Sequence, residues 1–339
     1  MPSRPKIEDV AREAGVSIMS VSRAMRGVDG ISPQTRQRIL KAAERMGYVP
    51  SRLAGSLAAA TSNLIAISVP TLFEVVFAEI IDGMRSTLLN AGYETMIGTS
   101  DFSTEREAAW IARMIQWSPA GLVVCGQHRT DEARQQLMQS HIPVLEIWDR
   151  NDDPIDLCVG FDHTAAGTEM GRYLVGLGYR RPAFIGTPPG RDPRAEKRLD
   201  GFAAAFSESG VSLAADLRVD GPPSFEAGYD GTISALSAAR RPDVLYFLND
   251  HLAFGGLMAC ANLGIPVPQA IGIAGFNGLN INNVLDTPLT TSNTPRRLMG
   301  STGARMLIAA INGVRTERSV VMPVELIPGE TTRPRPVSV

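Results

Sequence analysis

The chain has 339 residues, which is enough for two or three domains with hydrophobic cores of their own. Hydrophobic residues make up 44% and charged residues 20% of the sequence, an ordinary balance for a soluble globular protein. No apolar run reaches the roughly 18 residues that a membrane helix needs, and the basic N-terminus has no secretory signal. We therefore exclude a membrane partner and expect a cytoplasmic, nucleoid-associated protein.

The charges are unevenly distributed along the chain. Residues 1–60 contain ten of the 33 basic residues but only five of the 35 acidic ones, so this segment carries a net charge of +5 and the rest carries −7. A basic segment attached to an acidic body is typical of a protein that binds phosphate groups. The three cysteines, Cys125, Cys158 and Cys260, lie far apart in apolar contexts, so we expect reduced core residues rather than a disulfide or metal site.

The first structured segment, residues 7–48, is predicted to form three short helices. Gly15 supplies the tight turn after the first, Ser17 is a candidate N-cap of the second, and Ser32 with Pro33 begins the third. The predicted inner faces of these helices consist of Ile7, Val10, Ala14, Val21, Met25, Ile39, Ala42, Ala43 and Met46. This pattern is that of a DNA-binding helix-turn-helix, although small helical hairpins also serve purely structural roles.

Several motifs of this segment, in their order, resemble the headpiece of the lactose-repressor (LacI-type) family of bacterial transcription regulators. They are Asp9-Val10-Ala11, Ala14-Gly15-Val16-Ser17 and Val21-Ser22-Arg23, followed by Tyr48-Val49-Pro50. The resemblance implies that residues 1–50 form a small all-α DNA-binding headpiece. One headpiece reads few bases, so we expect a homodimer, with a tetramer as the alternative, on palindromic double-stranded operator DNA.

The second helix of the headpiece would enter the major groove. Ile18 and Met19 match the two family positions that contact bases most directly, and their apolar side chains can contact only thymine methyl groups. Arg23 can form a bidentate pair with guanine, and would therefore provide most of the hydrogen-bonded base readout. The predicted DNA-binding residues are Ser17, Ile18, Met19, Ser20, Ser22, Arg23, Arg26 and Leu57.

Residues 51–62 form a short run of small residues that is either a plain linker helix or, by the resemblance, a hinge helix that orders on DNA. Paired hinge helices of the family insert a leucine into the minor groove, which by position is Leu57 here. Such a wedge kinks the DNA. Gly55 stands where many relatives have a basic residue, which removes a phosphate contact and weakens the helix.

From Leu64 onward, apolar runs of strand length alternate with helical segments. The predicted strands are 64–70, 93–99, 121–125, 143–147, 183–186, 244–248, 271–275, 289–292 and 320–323. The predicted helices are 77–91, 104–117, 131–140, 164–177, 196–209, 225–239, 251–263 and 296–311. This alternation favours an α/β body with two doubly wound parallel sheets, because there are too many units for one.

The resemblance extends to this body, residues 63–339, and implies a two-lobed, periplasmic-binding-protein-like domain for effector binding and dimerisation. The break between the lobes falls near Val159-Gly160-Phe161. The N-lobe would comprise about 63–160 and 293–321, and the C-lobe about 161–292 and 322–339. Ligands of such folds bind at the carboxyl ends of the strands, which places an effector in the cleft between the lobes.

Strand-end positions suggest which residues line this cleft. Phe77 can stack on a sugar, with core packing as the alternative, and Asp149 can bond hydroxyl groups. Arg191, Arg194 and Arg198 cluster at the start of a helix, where positive side chains repel the helix dipole unless an anion joins them. Arginine also binds carboxylates bidentately, so the cluster predicts an acidic ligand, with a solvated basic loop as the alternative.

Family positions add detail to the cleft. Arg198 matches an arginine that holds the effector, Phe225 matches an aromatic ring that stacks on it, and Asn249 with Asp250 resembles the effector-binding Asn-Asp pair. Asn277 stands where many sugar-binding relatives have an aspartate, which would repel an acidic effector. The predicted effector-binding residues are Phe77, Asp149, Arg194, Arg198, Phe225, Asn249 and Asn277.

Three further motifs resemble the gluconate-repressor subgroup: residues 159–162, residues 295–301 and Gly303-Ala304. They imply a repressor of sugar-acid catabolism that gluconate or 2-ketogluconate releases from its operator. Effector binding would close the lobes, rotate the dimer interface and separate the hinge helices. A neutral sugar or nucleoside as effector remains an alternative, as does corepression, because the sequence does not determine the direction of the response.

An enzyme or a plain periplasmic binding protein is a weaker interpretation. The four histidines lack metal-ligand spacing, and neither GxSxG nor GxxxxGK[ST] occurs, so we expect no catalytic residues, no metal and no cofactor. The basic headpiece and the missing signal peptide argue against a periplasmic protein.

Overall fold

The computed structural model describes residues 5–49 and 62–335. The chain divides into two compact units, Met1–Ser62 and Asn63–Val339. The predicted hinge, including Leu57 and Gly55, lies outside the described residues. The predicted domain boundaries therefore stay a prediction.

The first unit contains the three predicted helices, α1 (Ile7–Ala14), α2 (Ile18–Arg26) and α3 (Pro33–Met46). The backbone N–H of Ser20 donates to Ser17 Oγ at 3.2 Å, so Ser17 caps α2 as expected. Gly15, at φ 61°, adopts the left-handed conformation that the turn between α1 and α2 requires. A common core made of Val10, Val21, Ile39 and their neighbours holds the three helices together.

The first sheet of the second unit has six strands, all parallel. Its order is β11-β5-β4-β3-β1-β2, made of β1 (Leu64–Val69), β2 (Glu94–Thr99), β3 (Gly121–Cys125), β4 (Val144–Asp149), β5 (Leu157–Phe161) and β11 (Ser319–Val321). Its helices are α4 (Val75–Asn90), α5 (Thr104–Gln116), α6 (Asp131–Gln139) and α11 (Arg296–Ile311), the last of which packs on α4.

The second sheet also has six strands, in the order β12-β10-β9-β8-β6-β7. The strands are β6 (Pro182–Gly186), β7 (Ala215–Arg218), β8 (Val244–Phe247), β9 (Gly272–Asn277), β10 (Thr290–Asn293) and β12 (Glu325–Ile327). The helices are α7 (His163–Gly176), α8 (Pro193–Ser207), α9 (Phe225–Leu236) and α10 (Asp250–Asn262). All pairings are parallel except β10 with β12.

The chain passes from the first sheet to the second after β5, returns between β10 and β11, and crosses again before β12. The predicted two doubly wound parallel sheets are therefore confirmed. The prediction missed β5, whose last residues, 159–161, lie near the expected break between the lobes and directly before the chain passes to the second sheet. It also missed β7 and the antiparallel edge strand β12, because these strands are short and lack a continuous apolar run.

Close packing of α7 on α8 determines the position of the cleft residues on α8. A Cβ added to Gly167 would collide with the Arg198 carbonyl, and one added to Gly201 would collide with the Thr164 carbonyl. Asp192 caps α8 and Pro193 occupies its first turn, so this helix begins three residues earlier than predicted. Within the described ranges, no helix is long and apolar enough to cross a membrane.

Candidate effector cleft and DNA-reading helix

Helix α2 presents an exposed face on the headpiece. Ile18 is 48% and Met19 64% exposed, and Arg23 is also exposed, whereas Val21 is fully buried in the headpiece core. Large apolar side chains this exposed at the start of a helix are available for contact with a partner. The geometry therefore leaves these three side chains free to reach a DNA groove.

The serines of this helix differ in what else they contact. The Ser17 and Ser20 hydroxyls lie 2.9 Å apart, and Ser17 also caps the helix, so part of its hydrogen-bonding capacity is used within the protein. Ser22 is half-buried. Arg26 ends α2, but its side chain, like Leu57, lies outside what the structure describes.

The cleft of the second unit contains a solvent-open cavity at the carboxyl ends of the strands. It brings together four of the predicted effector residues, namely Phe77, Arg198, Asn249 and Asn277. A neighbouring cavity is lined by Asp149 and Arg194, and a more open one by Phe225. All three cavities share Arg191 in their lining, so they form one continuous cleft.

Arg198 is a buried cation, only 4% exposed, at the floor of this cleft. Its guanidinium contacts His163 Nδ1 at 2.8 Å and donates to the carbonyl oxygens of Leu248 (3.2 Å) and Arg194 (3.4 Å). It also lies over the Phe276 ring, 4.2 Å from the ring centroid. Among the described residues, no carboxylate forms an ion pair with Arg198, and its Nε has no hydrogen-bond partner.

His163 is the residue that orients Arg198. Burial and the positive charge of Arg198 hold the pKa of His163 well below its usual value of 6.5, so the imidazole is neutral. Since a guanidinium can only donate, Nδ1 is the acceptor and Nε2 carries the proton. The ring packs against Phe161 at 4.2 Å and Trp148 at 6.0 Å between centroids.

Arg194 is buried as well, which rules out the alternative of a solvated basic loop for this residue. Its charge is already compensated, because Nε lies 2.7 Å from Asp192 Oδ1. Its Nη1 also lies 3.1 Å from Cys125 Sγ, which stands at the end of β3 in the other sheet. Arg194 thus connects the two halves of the cleft.

Asp149 likewise connects the two halves. Its Oδ2 accepts from Lys197 Nζ at 2.7 Å, and Lys197 belongs to α8. Burial raises the pKa of Asp149, although the Lys197 ammonium acts in the opposite direction. The carboxylate predicted to bond a ligand hydroxyl is therefore held by a cation of the protein itself.

The two asparagines present different groups to the cavity. Asn249 Oδ1 accepts from the backbone N–H of Leu252 at 3.1 Å and so caps α10. Asn277 is buried, and its Oδ1 has no hydrogen-bond partner among the described residues. Its φ of 116° is a strained conformation for a residue other than glycine, a feature often found at binding sites.

Asp250, the second member of the predicted Asn-Asp pair, supports the site from behind. Its carboxylate is fully buried and accepts from the Leu279 backbone N–H and the Thr291 hydroxyl, both at 2.7 Å. Burial raises the pKa of Asp250 to about 7. The pair therefore divides into a cleft residue, Asn249, and a structural residue that fixes the loop after β9.

The two predicted aromatic residues occupy different depths. Phe77 is 2% exposed and packs against Trp148 at 5.8 Å, so it serves the core while one side lines the cavity. Phe225 is half-exposed at the start of α9 and meets the His251 ring edge-on at 5.3 Å. Phe225 is therefore the ring accessible to a ligand entering from solvent.

Sequence reasoning missed His163, Glu74 and Trp148, all of which lie at or behind the cleft. Glu74 lines the same cavity as Arg198, and burial, reinforced by Asp192, raises its pKa to about 7. A signal was present for Glu74, since the loop that follows a buried strand lies at the carboxyl end of the sheet and Glu74 is the acidic residue of this loop. No sequence signal joins His163 to Arg198, which lies 35 residues further on.

Comparison with known families and proteins identifies both units. Residues 6–51 match the family described as bacterial regulatory proteins, lacI family, and residues 172–332 match a periplasmic binding protein-like domain. The transcriptional regulator GntR of Pseudomonas aeruginosa is 33% identical over 97% of this chain and 96% of its own length. GntR of Escherichia coli K12 is 32% identical over 91% of this chain and 93% of its own.

Solved structures agree with the fold. A crystal structure of a LacI-family regulator from Silicibacter pomeroyi superposes with a TM-score of 0.91 at 33% identity and covers 97% of this chain and 100% of that one. The lac repressor dimer bound to operator superposes with a TM-score of 0.82 at 23% identity, over 98% of this chain and 100% of that one, and supports the fold alone. The chain belongs to the LacI family of DNA-binding transcription regulators.

Proposed function

We propose that this regulator represses genes of sugar-acid catabolism and that gluconate or 2-ketogluconate, bound in the cleft, releases it from a palindromic operator. The relatives named GntR and IdnR support a repressor of this kind. The relatives are regulators rather than enzymes, which supports a binding role for the cleft.

The observation that carries the acidic effector is the buried Arg198 guanidinium, whose hydrogen bonds go only to neutral acceptors. A buried cation without a counter-charge is costly, and a bound carboxylate both compensates the charge and accepts charge-assisted hydrogen bonds. Burial lowers the pKa of Arg198, and it outweighs the opposite effect of the nearby Asp192 and Glu74. A neutral sugar would leave this cost in place.

The other cleft residues suit the polyhydroxylated part of the same ligand. Asn277 Oδ1 is a buried acceptor without a partner, so a ligand hydroxyl that donates to it gains a hydrogen bond that the protein alone lacks. Asn249 adds a second amide beside it, and Phe225 offers a half-exposed ring for the carbon chain. Because both amides are neutral, neither repels an acid.

Asp149 and Arg194 would couple binding to the arrangement of the two halves. Each already contacts the opposite half, through Lys197 and Cys125. A ligand that reaches either side chain exchanges a protein contact for a ligand contact, and so changes the relative stability of the arrangements. This is the differential affinity that an allosteric effector needs.

On the output side, we propose that Arg23 pairs with guanine while Ile18 and Met19 contact thymine methyl groups. Ser17, Ser20, Ser22 and Arg26 would reach phosphates or bases, and Leu57 would wedge into the minor groove. A homodimer, with a tetramer as the alternative, would present two headpieces to the two half-sites.

Isothermal titration calorimetry with gluconate, 2-ketogluconate and the neutral polyol glucitol tests the acidic effector. Wild-type protein should bind one of the acids but not glucitol, and Arg198→Gln should weaken that binding at least tenfold, the equivalent of about 1.4 kcal/mol. Arg172→Gln, which changes an exposed arginine of α7, is the matched control and should bind normally. Binding of glucitol alone would refute the proposal and favour a neutral effector.

A further inference from the structure

The cavity that holds Arg198 also contains a carboxyl group that the proposed function leaves without a role. Glu74 lies at the end of the loop after β1, directly before α4, and lines the cavity together with Arg198, Asn249 and Asn277. Its carboxyl group forms no hydrogen bond or ion pair within the described part of the chain, and it does not cap α4. The side chain is therefore an unused hydrogen-bonding group in the cavity wall.

Three unused polar groups meet in this cavity and differ in chemistry. The Arg198 guanidinium is a cation with an unpartnered Nε, and Asn277 Oδ1 is a neutral acceptor without a partner. The Glu74 carboxyl is a half-buried acid that has no protein partner among the described residues. A carboxylate satisfies the first group, whereas a hydroxyl group satisfies the second and third by donating to them. The set is complementary to a molecule with an acid at one end and hydroxyl groups along the rest.

From this arrangement we infer that Glu74 determines specificity, selecting polyhydroxy monocarboxylates (aldonates) and rejecting the corresponding dicarboxylates (aldarates). With one carboxylate on Arg198, the second carboxylate of an aldarate would lie against Glu74, and like charges at close range in a partly buried site repel. The terminal hydroxyl of an aldonate donates to Glu74 instead. This inference rests on the proposed function, because it assumes that Arg198 holds a sugar acid.

The charged groups around Glu74 make the rejection depend on pH. Arg191, Asp192, Arg194 and Arg198 face it from the segment that starts α8, and Asp101 and His251 share the outer cavity with it. The pKa of Glu74 is about 7, raised by burial and by Asp192, so the group gains its negative charge between pH 6 and pH 8. Rejection of a dicarboxylate should therefore strengthen as the pH rises through 7.

Calorimetric titration of the full-length protein with gluconate and with glucarate tests the inference. Wild-type protein should bind gluconate at least about tenfold more tightly than glucarate at pH 8, with a smaller ratio at pH 6. In Glu74→Gln the two ligands should come within about threefold of each other at both pH values. Glu74→Asp, which keeps the charge, should retain the discrimination, as should Glu132→Gln, which removes an exposed acid at the start of α6.

The outcomes separate the role of Glu74 from the proposed function. If wild-type protein binds glucarate as tightly as gluconate, or if folded Glu74→Gln keeps the wild-type ratio and pH dependence, the inference is overturned while the sugar-acid effector stands. If wild-type protein binds neither acid, the proposed function fails and the inference fails with it.

Discussion

The contact between His163 and Arg198 offers a direct test of how the cleft is built. Replacing His163 with leucine removes the Nδ1 acceptor, which lies 2.8 Å from the Arg198 guanidinium, and keeps an apolar side chain between the Phe161 and Phe276 rings. His163→Asn is the matched variant, because its side-chain oxygen occupies nearly the same place and still accepts. The two variants differ mainly in whether Arg198 keeps this partner.

Hydrogen bonds to charged groups contribute about 1.5–3 kcal/mol, and this bond is buried, since His163 is 1% exposed. His163→Leu should therefore lower the free energy of unfolding by about 1–3 kcal/mol, once the gain in apolar burial is set against the lost bond. It should also weaken gluconate binding at least about tenfold, because the guanidinium loses its orientation. His163→Asn should stay within about threefold of wild type in gluconate affinity.

Urea unfolding and calorimetric titration measure the two effects separately. A His163→Leu variant that unfolds within about 0.5 kcal/mol of wild type and binds gluconate equally well would show that the hydrogen bond does not orient Arg198. Equal losses in the leucine and asparagine variants would show that packing of the imidazole ring, rather than its acceptor, supports the site.

Because the pKa of His163 in the folded protein lies below 6.5, the unfolded chain binds an additional proton at low pH. Lowering the pH from 7.5 to 5.5 should therefore reduce the free energy of unfolding of wild-type protein by about 1.4 kcal/mol more than that of His163→Asn, as measured by urea unfolding. Equal pH dependence of the two proteins would contradict this. Gly201→Ala should destabilise the protein by about 1–3 kcal/mol, because the added Cβ would collide with the Thr164 carbonyl. Gly176→Ala is the control, since a Cβ there meets nothing within 4 Å and should not destabilise the protein. Thermal unfolding distinguishes the two variants, and equal melting temperatures would argue against close packing of α7 on α8. Arg23→Gln should cost about 1–3 kcal/mol of specific operator binding with little loss on random DNA in fluorescence anisotropy, and equal losses on both would indicate a phosphate contact instead.

The headpiece and the sheets were predictable because their signals are local. Ser17 and Ser32 cap their helices, Gly15 makes the turn, and the apolar spacing of α1 to α3 is visible within a few residues. The alternation of strands and helices in the body is equally local. The edge strands β7 and β12 were not predicted, because pairing with a neighbouring strand, rather than the pattern of their own few residues, makes them strands.

The sequence predicted several of the residues that line the cleft, but not which of their charges lack a partner. Four of the seven residues predicted from strand ends and family positions, namely Phe77, Arg198, Asn249 and Asn277, line one cavity. Which charges remain uncompensated depends on the ion pairs that the fold brings together. Lys197 pairs with Asp149, 48 residues away in sequence, and Asp192 pairs with Arg194 across the start of a helix. Such pairing follows from three-dimensional geometry, and it leaves Arg198 as the buried cation without an acidic partner.

Release of the protein from DNA by a sugar acid can be measured as a change in the affinity for operator DNA. An operator duplex is selected by the purified protein from a random-sequence pool, and its Kd is measured by fluorescence anisotropy with and without saturating gluconate or 2-ketogluconate. We expect one of these acids to raise the Kd of wild-type protein at least about tenfold and to leave that of Arg198→Gln unchanged. An unchanged Kd with both acids, or a lower one as in corepression, would contradict the account.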